Sequence, residues 1–165
     1  MPMDLARLIT PADTLVDLRV TGKNEALREL CRRAGGRVDL DGQFIHELIA
    51  AREGLGSTGM GHGIALPHAT IPGLTQFFGI LARLHRPIDF ASVDSQPVDL
   101  IFLLLSPPSA TAKEHLGALA AISRRLRETS VLARLRNAHD ATAAYEAFSS
   151  RTAPRAAAGA PAVTE

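Results

Sequence analysis

Six consecutive residues, Leu100-Ile101-Phe102-Leu103-Leu104-Leu105, carry no polar side chain. The run is far shorter than the roughly 20 apolar residues that span a bilayer, and Pro107-Pro108 follow it closely. It reads as a β-strand. Successive side chains of a strand point to opposite faces, so a strand apolar at every position belongs in the interior of a sheet covered on both sides. That requirement places the chain in the α/β class, with helices covering a mostly buried sheet.

The rest of the chain supplies the cover. Residues 14–20, TLVDLRV, alternate as a half-buried strand does. Residues 24–34 have a helical period, with Leu27, Leu30 and Cys31 on one face, and Gly35-Gly36 is expected to stop them. Asp41 is a good N-cap for a helix carrying Phe44, Ile45, Leu48 and Ile49, which runs out at Arg52-Glu53-Gly54. Ile64-Ala65-Leu66 is a short extended run, and residues 77–84 read as a further strand. The longest helix is expected over 112–129, with shorter ones at 131–137 and 141–148. From Arg151 the chain is rich in Ala and Pro without an apolar period, so 1–150 reads as one domain and 151–165 as a disordered tail.

Between the second helix and the extended run stands GLGSTGMGHG, residues 54–63. Gly54-x-Gly56-x-x-Gly59 matches the dinucleotide fingerprint as a string, but that fingerprint needs a strand before it and a helix after it, the reverse of the order here. A Gly-Lys-Ser/Thr phosphate loop is also absent from the sequence. The loop does offer backbone N–H groups, with Gly59 among them, and the hydroxyls of Ser57 and Thr58, all suited to holding an anion. His68 follows, delivered from a stiff backbone because Pro67 fixes its own φ and keeps Leu66 extended. Thr111-Ala112-Lys113-Glu114 fits a capping box, which puts His115 in the first turn of the longest helix, near the positive end of its dipole. His115 also lies on the apolar stripe with Leu119, Ile122 and Leu126, so it is expected to point inward. Arg52, a planar and permanently charged phosphate ligand, ends a helix just before the glycine loop. Taken singly, each of these residues also fits a structural role: a capping histidine, a core histidine, a helix-end arginine.

Three segments together are more specific. From Ala51 to Ala69 the chain reads Ala-Arg-Glu-Gly-Leu-Gly-Ser-Thr-Gly-Met-Gly-His-Gly-Ile-Ala-Leu-Pro-His-Ala; downstream stand Gln96-Pro97-Val98-Asp99-Leu100-Ile101-Phe102-Leu103-Leu104 and Lys113-Glu114-His115-Leu116. In this order they resemble the enzyme IIA domain of the bacterial phosphotransferase system, mannitol/fructose class, and the free-standing nitrogen-regulatory branch fits best. The similarity spans roughly residues 5 to 148. The resemblance implies a single-domain α/β fold, a mixed sheet of about five strands flanked by helices on both faces. It implies that His68 accepts a phosphoryl group as a tele-phosphohistidine, that His115 stabilises the phosphate and that Arg52 neutralises transition-state charge. Ser57, Thr58 and Gly59 are candidate phosphate-binding groups. The implied donor is an HPr-like phosphocarrier (an NPr), and the implied targets are proteins such as potassium-transport components or sensor kinases. No metal and no other cofactor is required if the donor is itself a phosphohistidine protein. His62 occupies a position often filled by Asn or Asp in relatives and is not counted as catalytic.

Bulk properties narrow the alternatives. The formal charge of +1 gives no general attraction to nucleic acid or anionic lipid, and six Phe, one Tyr and no Trp make a base-stacking platform unexpected. Arg124, Arg125, Arg127, Arg134 and Arg136 gather late in the chain, as a solvated helix face or as a docking patch for an acidic protein. Cys31 is the single cysteine, so an internal disulfide or a Cys-based zinc site is excluded. No secretion signal is legible at the N-terminus, and with no membrane insertion expected the cytoplasm is the expected compartment. Three competing readings remain: a sugar-specific IIA feeding a transporter's IIB domain, a non-catalytic binding module, and a metal site built from His62, His68 and His115. The lack of a further domain in the chain favours the regulatory form over the first.

Overall fold

The computed structural model describes residues 3–150. After two short 3-10 turns, Leu5–Arg7 and Pro11–Asp13, come β1 (Thr14–Leu18), α1 (Lys23–Val38), α2 (Gly42–Glu53), β2 (Gly59–Gly61), β3 (Ile64–Ala65), β4 (His68–Thr70), β5 (Phe78–Ile88), β6 (Val98–Ser106), α3 (Ala112–Arg127), α4 (Thr129–Arg136) and α5 (Ala141–Ser149). The tail expected to be disordered, 151–165, lies outside the described residues.

The six strands form one mixed sheet in the order β1-β5-β6-β3-β2, with β4 also beside β6. β6 runs antiparallel to β5 and parallel to β3 and β4. Its side chains divide by parity. Ile101, Leu103 and Leu105 enter a core with Leu27, Leu30 and Ala34 of α1 and Ile45 and Ile49 of α2. Leu100, Phe102 and Leu104 enter a second core with Ile122 and Leu126 of α3, Val131 and Leu135 of α4 and Phe148 of α5. All six residues of the apolar run are fully buried, as expected of a strand covered on both faces.

The structure corrects three boundaries. Gly35-Gly36 does not stop α1, which continues to Val38 and is closed by Asp39 in the left-handed conformation at φ 59°. The reason is helix contact: a Cβ at Gly35 would come within 2.6 Å of the Leu40 carbonyl and 2.7 Å of the Gly42 nitrogen, so glycine lets the turn into α2 lie against α1. β5 runs past Leu84 to Ile88 through a register shift against β6. The long C-terminal helix ends at Arg127, where Glu128 is extended and starts α4.

Gly35→Ala and Gly36→Ala are therefore expected to act with opposite sign. Nothing lies within 4 Å of a Cβ at exposed Gly36, so alanine there stabilises by about 0.5–1 kcal/mol through helix propensity. At Gly35 the backbone collision outweighs the same gain and destabilises by about 1–3 kcal/mol. Urea unfolding of both variants checks the pair.

Candidate active site

β3 and β4 are one strand in two pieces. Ile64 lies opposite Leu100 and Ala65 opposite Ile101; after Leu66-Pro67, His68 resumes opposite Leu104 in the same parallel register. Proline has no N–H to continue a ladder, and Leu66 turns its own N–H to the Thr58 carbonyl at 3.0 Å. The Leu66 carbonyl is 2.8 Å from His68 Nδ1. A carbonyl can only accept, so Nδ1 carries the proton and donates it, and the neutral ring keeps its lone pair on Nε2. His68 thus starts a resumed strand, with its tautomer set by the residue before the proline.

β6 ends at Ser106, and the chain turns through Pro107-Pro108 into α3. The expected capping box is present: the Thr111 N–H donates to Glu114 Oε1 at 2.8 Å and the Glu114 N–H to Thr111 Oγ1 at 3.1 Å. It fixes the first turn of α3 over the strand ends, and the His115 ring comes to 5.5 Å from that of His68, centroid to centroid. Ser106 Oγ lies 2.6 Å from His115 Nδ1. With Ser106 donating, the His115 proton sits on Nε2 and can be offered to an anion. The expected inward stripe holds at Ile122 and Leu126, which are fully buried, while His115 and Leu119 are only half-buried. The overhang of the first helical turn beyond the sheet is what keeps His115 at the core's edge.

Arg52, in the last turn of α2, donates from Nη1 to the Gly56 carbonyl at 2.9 Å. It lines a cavity of about 350 Å³ with Ser57, Thr58, Gly59 and His68, closed on the far side by Leu119 and Ala120 of α3. The glycine segment is more ordered than its composition suggests. β2 and β3 form a hairpin whose two turn residues, His62 (φ 59°) and Gly63 (φ 79°), both have the positive φ that primed turns require. The Ser57 hydroxyl donates to the Phe90 carbonyl at 2.7 Å and accepts the Gly59 N–H at 3.0 Å. Thr58 donates its N–H to Glu53 Oε1 at 3.2 Å and its hydroxyl to Glu53 Oε2. Ser57 and Thr58 therefore line the cavity with both hydroxyls and the Thr58 N–H already engaged inside the protein.

Sequence reasoning missed three residues. Glu53 has a side chain only 6% exposed, holds both Thr58 donors and pairs with Lys23 Nζ at 2.8 Å. Lys23, at the start of α1, also lies 4.5 Å from the centroid of the Phe90 ring. Ser106 orients His115. Ser106 had a signal, a hydroxyl directly after an apolar strand; Glu53 had only its place beside Arg52; Lys23, thirty residues away, had none. Among the described residues no three His, Cys, Asp or Glu side chains gather as a metal site would need, and no helix is long and apolar enough to cross a membrane. His62 sits on the hairpin turn, where its N–H donates to Asp94 Oδ2 at 3.1 Å.

Burial is the largest influence on the His68 pKa and pushes it below the ordinary value of 6.5. The Leu66 hydrogen bond opposes that, Arg52 and His115 add to it, Glu53 opposes it, and the balance is downward. His115 is also lowered, by burial. Both imidazoles are thus held neutral. The Cys31 thiol, pushed up to about 12 by burial in the first core, is no nucleophile.

Comparison with known proteins places these features in a family context. Residues 7–151 match the family described as phosphoenolpyruvate-dependent sugar phosphotransferase system, EIIA 2. A protein named nitrogen regulatory protein from Bradyrhizobium diazoefficiens is 45% identical over 143 residues, covering 87% of this chain and 93% of that one. The crystal structure of nitrogen regulatory protein IIA-Ntr from Neisseria meningitidis superposes with a TM-score of 0.81 at 29% identity, covering 87% of this chain and 97% of that one. IIA mannitol from Escherichia coli shares the fold, with a TM-score of 0.68 at 19% identity over 84% of this chain and 97% of that one.

Two outcomes are expected from the site's geometry. Glu53→Ala removes the acceptor for Lys23 and Thr58 and destabilises by about 1–3 kcal/mol; the double-mutant cycle with Lys23→Ala gives a coupling of about 1 kcal/mol or more by denaturant unfolding. Imidazole ¹⁵N NMR at pH 7 finds His68 protonated at Nδ1 and bare at Nε2, with His68 and His115 both titrating below 6.5. Because the folded pKa values are lowered, the folded state binds fewer protons. The stability linked to these histidines is complete above pH 6.5 and is lost as pH falls from there through the folded values.

Proposed function

The chain belongs to the phosphoenolpyruvate-dependent sugar phosphotransferase system EIIA 2 family, and from that premise we propose that it is a phosphocarrier of the nitrogen-regulatory kind. On this reading it takes a phosphoryl group onto His68 Nε2 from the phosphohistidine of an HPr-like protein, an NPr, in the cytoplasm. The observation that carries the reading is the 2.8 Å contact between His68 Nδ1 and the Leu66 carbonyl. It leaves Nε2 as the one nucleophilic ring nitrogen and turns it away from the backbone.

In the proposed step the Nε2 lone pair attacks phosphorus in line, an N–P bond forms, and the donor's N–P bond breaks with its electron pair returning to the donor imidazole. The Nδ1 proton stays in place, and the Leu66 carbonyl stabilises the positive charge that the His68 ring acquires. Charge on the equatorial oxygens meets the Arg52 guanidinium and the Nε2–H of His115. The Ser57, Thr58 and Gly59 segment borders the phosphate; Thr58 contributes its hydroxyl only by leaving Glu53. The product adds about two negative charges beside Arg52, and this change of charge, rather than a refolding, is the regulatory signal. Its readers are protein targets such as potassium-transport components or sensor kinases. The similarity to proteins named nitrogen regulatory protein supports that output over delivery to a sugar transporter.

Incubation with a phosphorylated HPr-like protein is expected to label the chain with phosphate that is stable in alkali and labile in acid. His68→Ala abolishes the label, and Arg52→Gln lowers the transfer rate about 10²-fold. Label that persists in His68→Ala removes the reading. The rate falls on the acid side with the lowered pKa of His68, because the imidazolium has no lone pair to attack with.

A further inference from the structure

We propose that the exposed face of α3 is the docking surface for the phosphodonor protein, and that the donor meets Arg124 and Arg127 with carboxylates beside its phosphohistidine. The proposal rests on the reading of His68 as acceptor.

The structure divides the five late arginines. Arg125 donates from Nη1 to the Phe148 carbonyl and to the Ser150 carbonyl at 3.3 Å, and pairs with Glu128 at 3.4 Å. Arg136 pairs with Asp99 at 2.9 Å and donates to the His62 carbonyl at 2.7 Å. Arg134 reaches Ser150 Oγ at 3.5 Å. These three hold helices and the hairpin together. Arg124 and Arg127 are exposed and make no hydrogen bond or ion pair among the described residues. Both stand in the last turn of α3, where a cation suits the helix dipole, and the nearest carboxylate in their depression, Glu128, is paired with Arg125.

Their position links them to the site. Ala120 and Ser123 line the His68 cavity, and the same two residues line a second cavity of about 400 Å³ bounded by Arg124 and Arg127. The two depressions are therefore continuous along one side of α3. Leu119, Ala120 and Ser123 of α3 form one wall of the His68 cavity, so a protein that presents a phosphohistidine there over this wall lies on the helix. It meets Leu116, apolar and 63% exposed, then Gly117 and Ala120, which leave room for its backbone, and then Arg124 one helical turn on and Arg127 about two turns on. Closing this contact strips water from both guanidiniums. An acidic donor compensates them; a basic or neutral one leaves two desolvated, unpaired charges. The same pair attracts an acidic donor, and the dianionic phosphoryl group it carries, from a distance. Arg124 and Arg127 are thus specificity contacts for the donor and take no part in the chemistry at His68.

The test compares two phosphorylated HPr-like proteins, one acidic and one basic around the phosphohistidine, with phosphoramidate as a small donor that needs no docking. Arg124→Glu/Arg127→Glu is expected to lower the second-order rate from the acidic donor at least tenfold and to flatten its dependence on ionic strength. The phosphoramidate rate stays within twofold, which also reports an intact site. Arg28→Glu/Arg86→Glu, on other elements, controls for total charge and leaves the acidic-donor rate within twofold. An unchanged acidic-donor rate, or an equal fall in the control variant, overturns the docking surface while phosphoramidate labelling of His68 stands. A wild type that phosphoramidate cannot label on His68 overturns the acceptor reading and the proposal with it. Binding of wild type but not variant to anionic phosphatidylserine vesicles, with equal donor rates, assigns the arginines to a membrane surface and overturns it as well.

Discussion

Everything in this fold is arranged around a strand that cannot touch water. The side chains from Leu100 to Leu105 are fully buried, each contributing on the order of 1.5–3 kcal/mol by leaving water. Because a strand shows its residues to both faces, that gain is realised only if two layers of helix are present. The α1–α2 pair covers one face and α3, α4 and α5 cover the other. The chain therefore has to return across β6 after leaving it, and the return helix is α3. Its first turn overhangs the sheet, which is how His115 comes within reach of a histidine on a neighbouring strand.

The second constraint is a single imino acid. Pro67 interrupts the strand line formed by β3 and β4 without changing its register. The flanking Leu66 finds other partners, its N–H on Thr58 and its carbonyl on His68 Nδ1. One residue thus breaks the ladder, joins the strand to the glycine hairpin and selects the tautomer of the His68 ring. Burial then keeps that ring neutral against the pull of the Leu66 hydrogen bond, with Arg52 and His115 acting in the same direction. The proposed role of His68, a nucleophile uncharged before transfer beside cationic and donor groups that act during it, is consistent with this balance.

The glycine segment illustrates the difference between composition and structure. Its glycines suggest a mobile anion cradle, yet the turn at His62-Gly63 is a tight hairpin, Ser57 is fastened to Phe90, and Thr58 is fastened to a buried carboxylate neutralised by Lys23. A Cβ at Gly59 would collide with Ser92, so one of the glycines serves close packing. The segment forms a braced wall against which Arg52 is set.

Much was legible from the residues alone, for reasons of local physics. An all-apolar strand demands cover on both faces; Asp41 and Thr111 cap helices through contacts within one turn; proline stiffens the approach to His68. The motif combination identified the family through His68, His115 and Arg52. What could not be read was whatever depends on segments distant in the chain meeting in space. Gly35 looked like a helix stop because its real partner, the turn at Leu40–Gly42, is visible only once α1 and α2 pack together. Lys23 joined the site from the first turn of α1, and Ser106 gained a role only when α3 folded back over it. The five late arginines were alike as a string; only the folded chain separates Arg125, Arg134 and Arg136, which are bonded, from Arg124 and Arg127, which have no hydrogen bond or ion pair among the described residues. Local periodicity and backbone stereochemistry are properties of neighbours in sequence. The pairing of charges, the tautomer of His68 and the close approach of helices are settled by which atoms the folded core brings within a few ångströms.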